Sequence, residues 1–176
     1  MALHALWTGP ERLAAWLMLR YKQRLRTEKA GPMKTQVSTH LIHEKDGRHL
    51  MIRRAGSAYY PGFLSLVAGH VESPETPLEA LLREAAEEIG VRLAPGDVSF
   101  AKVLHRRLPD RIYIDYFFKA EHMPDALQIC EPDKISEIGM FDLQAVRDQI
   151  VPYVWAVLTS PQTYQEFEEG GLMPRL

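Results

Sequence analysis

One cysteine in 176 residues, Cys130, leaves no partner for an intrachain disulfide, and no second cysteine or histidine stands beside it at zinc-ligand spacing. A reducing, cytoplasmic setting is the expectation, with the thiol buried as a small apolar side chain. The chain also lacks any apolar run near the roughly 20 residues that span a bilayer, any internal repeat and any low-complexity tract. Nor does one sign of charge dominate. Lys and Arg number 21 against 23 Asp and Glu, a net charge of −2, which argues against a general nucleic-acid binder and makes any polyanion binding local. The remaining composition, 46% hydrophobic and 25% charged, is that of one globular domain with one core.

The first 32 residues differ in character from the rest. Leu13, Trp16 and Leu17 stand at helical spacing, followed by a dense basic run of Arg20, Lys22, Arg24, Arg26 and Lys29, which reads as a basic amphipathic helix. A secretory signal has the opposite order, charges before the apolar part. Three readings stay open: a packing helix or dimerisation arm, a helix for a membrane surface or partner, and an upstream start codon with the domain beginning at Met33. The expected division is therefore 1–32 as a helical extension and 33–176 as the domain, with Leu13, Trp16 and Leu17 as a possible homodimer contact.

Within the domain, TQVSTHLI from Thr35 and HLMIRRA from His49 flank the turn residues Asp46-Gly47 and predict a hairpin with a four- or five-residue connection. A Gly/Tyr/Pro loop follows from Ser57 to Gly62, then a short strand from Phe63 to Val67 leading into Gly69. Two longer strands, Val98 to His105 and Arg111 to Ala120, join at Leu108-Pro109-Asp110. On the second, Ile112, Ile114, Tyr116 and Phe118 alternate with Tyr113, Asp115 and Phe117, so one face belongs to the core and the other is expected to line a cleft. A short strand from Ile138 to Phe141 and a terminal helix from Leu143 to Thr159, interrupted near Pro152, complete the pattern. Strands mixed with helices in this order imply a layered α/β domain.

The densest information lies between Gly69 and Val91, GHVESPETPLEALLREAAEEIGV. Thr76-Pro77-Leu78-Glu79 is a capping box with proline at the first helical position, and Gly90 stands where a left-handed stop residue belongs, so the spacing predicts a helix from near Pro77 to Ile89. Leu78, Leu82, Ala85 and Ile89 form its apolar stripe, and Glu84, Glu87 and Glu88 are expected to face outward together. Like charges three and four residues apart repel by about 0.2–0.5 kcal/mol per pair, and the helix C-terminus disfavours the last two by about 0.3–1 kcal/mol each. Arg83 offsets part of this through Glu79 and Glu87. A hard divalent cation with a preference for oxygen ligands, such as Mg²⁺, would offset the rest.

The segment resembles the signature of the Nudix hydrolases, G-x5-E-x7-R-E-U-x-E-E-x-G-U with U a bulky aliphatic residue. Gly69, Glu75, Arg83, Glu84, Glu87, Glu88, Gly90 and Val91 are in register, and Ala85 is smaller than the pattern expects. The resemblance covers about residues 34–160. It implies an α/β/α sandwich around a mixed sheet, and Mg²⁺-dependent hydrolysis, with Mn²⁺ as a substitute, of a nucleoside triphosphate or a nucleoside diphosphate linked to another group X. It also implies Glu84, Glu87 and Glu88 as metal ligands and catalytic groups, Arg83 orienting them, Gly69 adding its carbonyl and Glu75 bracing the loop. Later carboxylates are often recruited in this family, and Glu131 and Glu137 are the candidates.

Specificity is expected from Arg53 and Arg54 holding phosphates, Tyr60 in the Tyr59-Tyr60 loop stacking a base, and Asp115 meeting a base edge. Solvated arginines, a packed tyrosine turn and an edge-strand carboxylate explain the same residues. The histidines lack ligand spacing and read as structural, with His70 set apart by its place after Gly69. A nucleotide-binding or regulatory module of the same fold, without hydrolysis, is the alternative from another class. Hydrolysis at RNA 5′ ends is a third reading, kept open by the basic arm alone.

Overall fold

The computed structural model describes residues 34–169 apart from residue 125. The amphipathic extension expected over 1–32, with its dimer contact, lies outside the described residues. Nine strands follow in order: β1 Lys34–Ile42, β2 Glu44–Lys45, β3 Arg48–Arg54, β4 Leu64–Ser65, β5 Ala68–His70, β6 Val98–Arg107, β7 Arg111–Ala120, β8 Ile135–Phe141 and β9 Tyr164–Glu168. Helix α1 spans Pro77–Ile89 and α2 spans Pro152–Thr159.

Five strands form one mixed sheet in the order β5-β1-β7-β6-β9, with the β1/β7 and β6/β9 pairs parallel and the other neighbours antiparallel. In the second sheet β3 is flanked by β2 and β4 on one side and β8 on the other, all antiparallel. Period-two alternation divides the apolar residues between two cores. Leu41, Leu50, Ile52, Val67 and Phe118 pack with Leu81, Ala85 and Ile89 of α1. Their neighbours in sequence, Ile42, Met51, Leu66 and Phe117, point the other way and pack with Tyr153, Val154 and Val157 of α2. A helix on each side of the strands makes the expected α/β/α sandwich.

Both faces of β7 are therefore occupied, and Asp115 lies on an interior strand between β1 and β6, not on an edge. The expected hairpin also forms differently. The chain turns at His43, so β1 joins the first sheet while a two-residue turn at Asp46-Gly47 closes β2 onto β3. Both turn residues have positive φ, 53° and 73°, the geometry that matches the twist of a tight hairpin.

The long terminal helix gives way to a single 3₁₀ turn at Arg147–Gln149 and the short α2, because Val151 donates its N–H to Leu64 O at 3.0 Å and holds the intervening chain extended. Strand β8 begins three residues earlier than expected, and β9 extends the first sheet beyond β6. Cys130 is exposed, which corrects the expected burial: it lies on the loop between β7 and β8, held against the end of α1 by its N–H donating to Glu88 O, with the thiol outside both cores.

The start of α1 follows its sequence signals closely. Thr76 Oγ1 accepts from Glu79 N at 3.3 Å and Glu79 Oε2 accepts from Thr76 N at 2.8 Å, the reciprocal bonds of a capping box. Thr76→Ala is expected to cost about 1 kcal/mol of stability, measurable as a lower denaturation midpoint with unchanged slope.

Candidate active site

Helix α1 lies against β1 and β5, and its contact with β5 shapes the site. Gly69 has no room for a side chain: a Cβ there would stand 1.7 Å from Glu84 Oε1. Glu88 accepts from Ala68 N at 3.0 Å. Glu84 and Glu88 are thus turned toward the strand and buried, at 9% and 7% exposure, while Glu87 remains exposed. This corrects the expectation of three outward-facing carboxylates. Leu81, Ala85 and Ile89 occupy the buried stripe instead, and Leu78 lies at its margin, so the helix is rotated toward β5.

Gly69→Ala is expected to displace Glu84 and lower kcat/KM about a hundredfold, the cost of misplacing a reacting group by about 1 Å. The measurement is steady-state kinetics beside a thermal unfolding curve, since a folded variant with full activity would contradict the role given to this contact.

Arg83 gathers the acidic side chains around it. Its Nε and Nη2 donate to Glu75 at 2.7 and 3.1 Å, while Nη1 donates to Glu84 Oε1 at 2.7 Å and to Glu87 Oε2 at 2.9 Å. A further bond from Nη2 to His70 O, 3.0 Å, ties the helix to β5. Glu75, expected to brace the loop, accepts from Glu72 N within it and holds Arg83 from the far side. Hydrogen bonds from Arg83 hold its carboxyl below the ordinary glutamate range, and the guanidinium in turn is held charged mainly by Glu75.

Glu88 has no cation bonded to it among the described residues. Burial pushes its carboxyl up to about 8, the Ala68 N–H pulls it partly back, and the neighbouring charges of Glu84 and Glu131 push it further up. The loop carrying Glu131 is held over the end of α1 by Cys130 N donating to Glu88 O at 3.0 Å and Gln128 N donating to Ile89 O at 3.2 Å. Glu131 Oε1 binds Lys134 Nζ at 2.7 Å, and its Oε2 is buried without a hydrogen-bond partner. Glu137, the other candidate, is elsewhere. It faces Arg53 across β3/β8 and accepts from its Nε at 2.5 Å.

The donor set suits a hard divalent cation: carboxylates and a buried oxygen with nothing bound to it. Among the described residues no three acidic, imidazole or thiol side chains form a ready-made cage. Arg83 holds Glu75, Glu84 and Glu87, and Lys134 holds Glu131, so a cation would have to draw Glu84, Glu87 and Glu131 from these partners.

The residues expected to set specificity are largely committed within the protein. Arg53 donates to Glu137, Gly62 O and Gln149. Arg54 donates to Tyr59 O and Ser57 Oγ. Tyr60 is 6% exposed and packs edge-on against Phe63, so it is a core residue and not a surface stacking platform. Asp115 is fully buried and cannot meet a base edge: both its oxygens are taken by Arg106, Oδ2 at 2.7 Å and Oδ1 at 3.2 Å, and Ser38 Oγ also donates to it. His70 is exposed beside Tyr113, with ring centroids 5.9 Å apart.

Sequence reasoning missed the partner of Asp115. Arg106 lies over the rings of Tyr153 and Tyr113 at 4.1 and 4.2 Å, and its Nη1 donates to Glu169 Oε2 at 3.1 Å and to Tyr59 Oη at 3.0 Å. Tyr59 Oη also donates to Glu169. The signal that could have found the pair was strand alternation, since both residues fall among apolar neighbours where an unpaired charge is untenable.

A model of the NUDIX domain matches residues 33–159. The chain belongs to the Nudix family. It is 31% identical over 88 residues to the 8-oxo-dGTP diphosphatase of Escherichia coli K12, covering 50% of this chain and 67% of that one. It is 42% identical over 76 residues to the RNA pyrophosphohydrolase of Halorhodospira halophila, covering 41% of this chain and 39% of that one. The MutT NUDIX hydrolase of Burkholderia pseudomallei superposes with a TM-score of 0.64 at 23% identity, over 71% of this chain and 96% of the other, a likeness of fold. The matched residues contain the whole of α1 and the loop before it, so the complete signature of this Nudix hydrolase lies on the Nudix fold.

Proposed function

We propose that this Nudix hydrolase cleaves a phosphoanhydride bond in a nucleoside triphosphate, or in a nucleoside diphosphate linked to another group X, with Mg²⁺ as its cofactor and Mn²⁺ as a substitute. The observation that carries the reading is the convergence of Glu84 and Glu88 on the backbone of β5, beside a buried and unsatisfied oxygen of Glu131. Among the described residues, Glu75, Glu84, Glu87, Glu88 and Glu131 meet two nearby cations, Arg83 and Lys134. That imbalance favours a divalent cation and, with it, a polyphosphate.

Glu84, Glu87, Glu88, Glu131 and the carbonyl of Gly69 would hold the ion. An ion bound there would supply charge screening of the phosphates, polarisation of a phosphoryl oxygen and a lowered pKa for a bound water. Gly69 lets the helix approach the strand closely enough for Glu84 to be placed. Arg83 holds Glu84 and Glu87 in fixed rotamers, and one of the glutamates accepts the proton of the attacking water. Two charged groups held at one edge of a rigid sheet are already oriented, which is where most of the rate gain in such reactions arises.

The test is a nucleotide panel with Mg²⁺, following phosphate and pyrophosphate release. Turnover of at least one nucleotide is expected, and none with either Mg²⁺ or Mn²⁺ would overturn the reading in favour of a module that binds without cleaving. A second reading, removal of pyrophosphate from RNA 5′ ends, is favoured by the local likeness to the Halorhodospira protein. A 5′-triphosphorylated RNA in the same panel decides it. Deleting residues 1–32 should then weaken RNA binding and leave cleavage of free nucleotides intact.

A further inference from the structure

Among the described residues, Lys134 is the cation beside the carboxylate cluster that the Nudix signature does not contain. Its loop is held at several points. Lys134 N and Ile135 N both donate to Glu131 O at 2.9 Å, and Ala55 N donates to Lys134 O at 2.6 Å. Gly56, with φ of 63°, packs so closely that a Cβ there would meet Asp133 O at 2.2 Å. Positive φ and close approach together require glycine at that position. On the other side Cys130 N binds the last turn of α1. The backbone bearing Lys134 is thus pinned between the second sheet and α1, while the side chain itself is 66% exposed and free to turn.

Its ammonium rests on Glu131 Oε1 at 2.7 Å, and the same charge interacts with Glu84 and Glu88. Glu131 therefore has one oxygen held by Lys134 and the other buried and unbonded. A carboxylate so placed has two competing claimants, the ammonium and a divalent cation. When the cation takes Glu131, the ammonium is left without its anion at the edge of a site that is about to receive phosphate. An exposed four-carbon arm on a fixed backbone can turn from one anion to the other.

We propose that Lys134 is a positioning residue that occupies Glu131 in the metal-free protein and, displaced by the divalent cation, presents its ammonium to the phosphate chain of the substrate. This rests on the metal-dependent reading of the site given above. The interaction with Glu131 opposes metal binding, and the interaction with phosphate favours substrate binding, so removing the charge moves the two affinities in opposite directions.

The test uses the full chain, wild type, Lys134→Met and Lys134→Arg, with Mn²⁺ titrated calorimetrically in the absence of nucleotide and KM measured separately on the best nucleotide of the panel. Lys134→Met is expected to bind Mn²⁺ about two- to fivefold more tightly, the size of one exposed ion pair. Its KM should rise about tenfold with kcat changed less, as for one charge-assisted hydrogen bond. Lys134→Arg should restore KM. Unchanged Mn²⁺ affinity together with unchanged KM overturns the proposal, as does weaker Mn²⁺ binding in the methionine variant, which would make Lys134 a support for Glu131 and not its competitor. A wild type that binds Mn²⁺ and turns over nucleotide while the variant matches it overturns this inference alone. A wild type that does neither overturns the metal-dependent reading with it.

Discussion

Glu88→Gln is expected to lower kcat/KM for the best nucleotide by on the order of a thousandfold, about 4 kcal/mol of transition-state stabilisation, with the fold intact. The side chains have nearly the same volume, and the amide oxygen of glutamine can still accept from Ala68 N, the one bond that the carboxylate makes here. Glu88 is 7% exposed and no cation bonds it among the described residues. With burial raising the Glu88 carboxyl to about 8, the group is largely protonated near pH 7 in the metal-free protein, and a neutral amide matches it, so the melting temperature of the metal-free variant should not fall. Loss of activity together with a retained melting temperature separates a functional carboxylate from a structural one. Kinetics and thermal unfolding on one preparation read both.

The opposite pattern is expected at Arg106. Replacing it with methionine should cost about 3–5 kcal/mol of stability, because Asp115 would remain buried without its partner. Arg106 is 4% exposed and Asp115 fully buried, and Ser38 with His40, whose Nε2 stands 3.6 Å from Asp115 Oδ1, does not replace the two guanidinium bonds that the carboxylate accepts. The loss spreads beyond one pair, since Arg106 also joins β6 to Tyr59, to Glu169 after β9, and to Tyr153 of α2.

This effect has a defined pH dependence. Burial works to raise the Asp115 carboxyl, but His40 and Arg106 outweigh it and hold the group well below the ordinary aspartate value. A depressed folded-state pKa gives stability that is complete above the unfolded value of about 3.9 and is lost as pH falls through the folded value. Glu169 acts in the other sense. Burial raises its carboxyl despite Arg106, so its cost to the fold grows as pH rises from the unfolded value through the raised one. Without Arg106 its share of the restraint on Asp115 is gone, burial raises the carboxyl, and protonation relieves the charge left without its guanidinium. The stability difference between wild type and Arg106→Met should therefore shrink as pH is lowered from 7 toward 4, which chemical denaturation at several pH values measures.

Much of the fold could be read from the chain because the signals were local. The capping box, the proline at the first turn and Gly90 marked α1 within a residue. Alternation located β1, β6 and β7. The elements that escaped depend on distant partners. The break at His43 is visible only once β1 is known to pair with β7, seventy-odd positions away. Tyr164–Glu168 has few apolar residues, and only its pairing with β6 makes it a strand.

The site divides in the same way. Gly69, Arg83, Glu84, Glu87 and Glu88 lie within 20 positions on one short strand and the next helix, so spacing alone brings them together. Which carboxylates turn inward was not legible, because that depends on how α1 is rotated against β5. Helical periodicity assigned Leu82 to the buried stripe, whereas Leu81 fills it. The bonds made by the residues expected to set specificity were hidden for a related reason. Arg53, Arg54 and Asp115 are polar groups whose partners, Glu137, Tyr59 O and Arg106, come from other strands and loops. Sequence showed the charges and not the bonds that occupy them.

Metal-dependent cleavage of a phosphoanhydride at the Glu84–Glu88 edge of α1 is tested most directly by product analysis on one nucleoside triphosphate of the panel, with Mg²⁺ and again with excess EDTA. Nucleoside monophosphate and pyrophosphate, or the diphosphate and phosphate, should form with Mg²⁺, vanish with EDTA and return when Mg²⁺ is restored. The same product rate in EDTA, or no product from any nucleotide with Mg²⁺ or Mn²⁺, would contradict it.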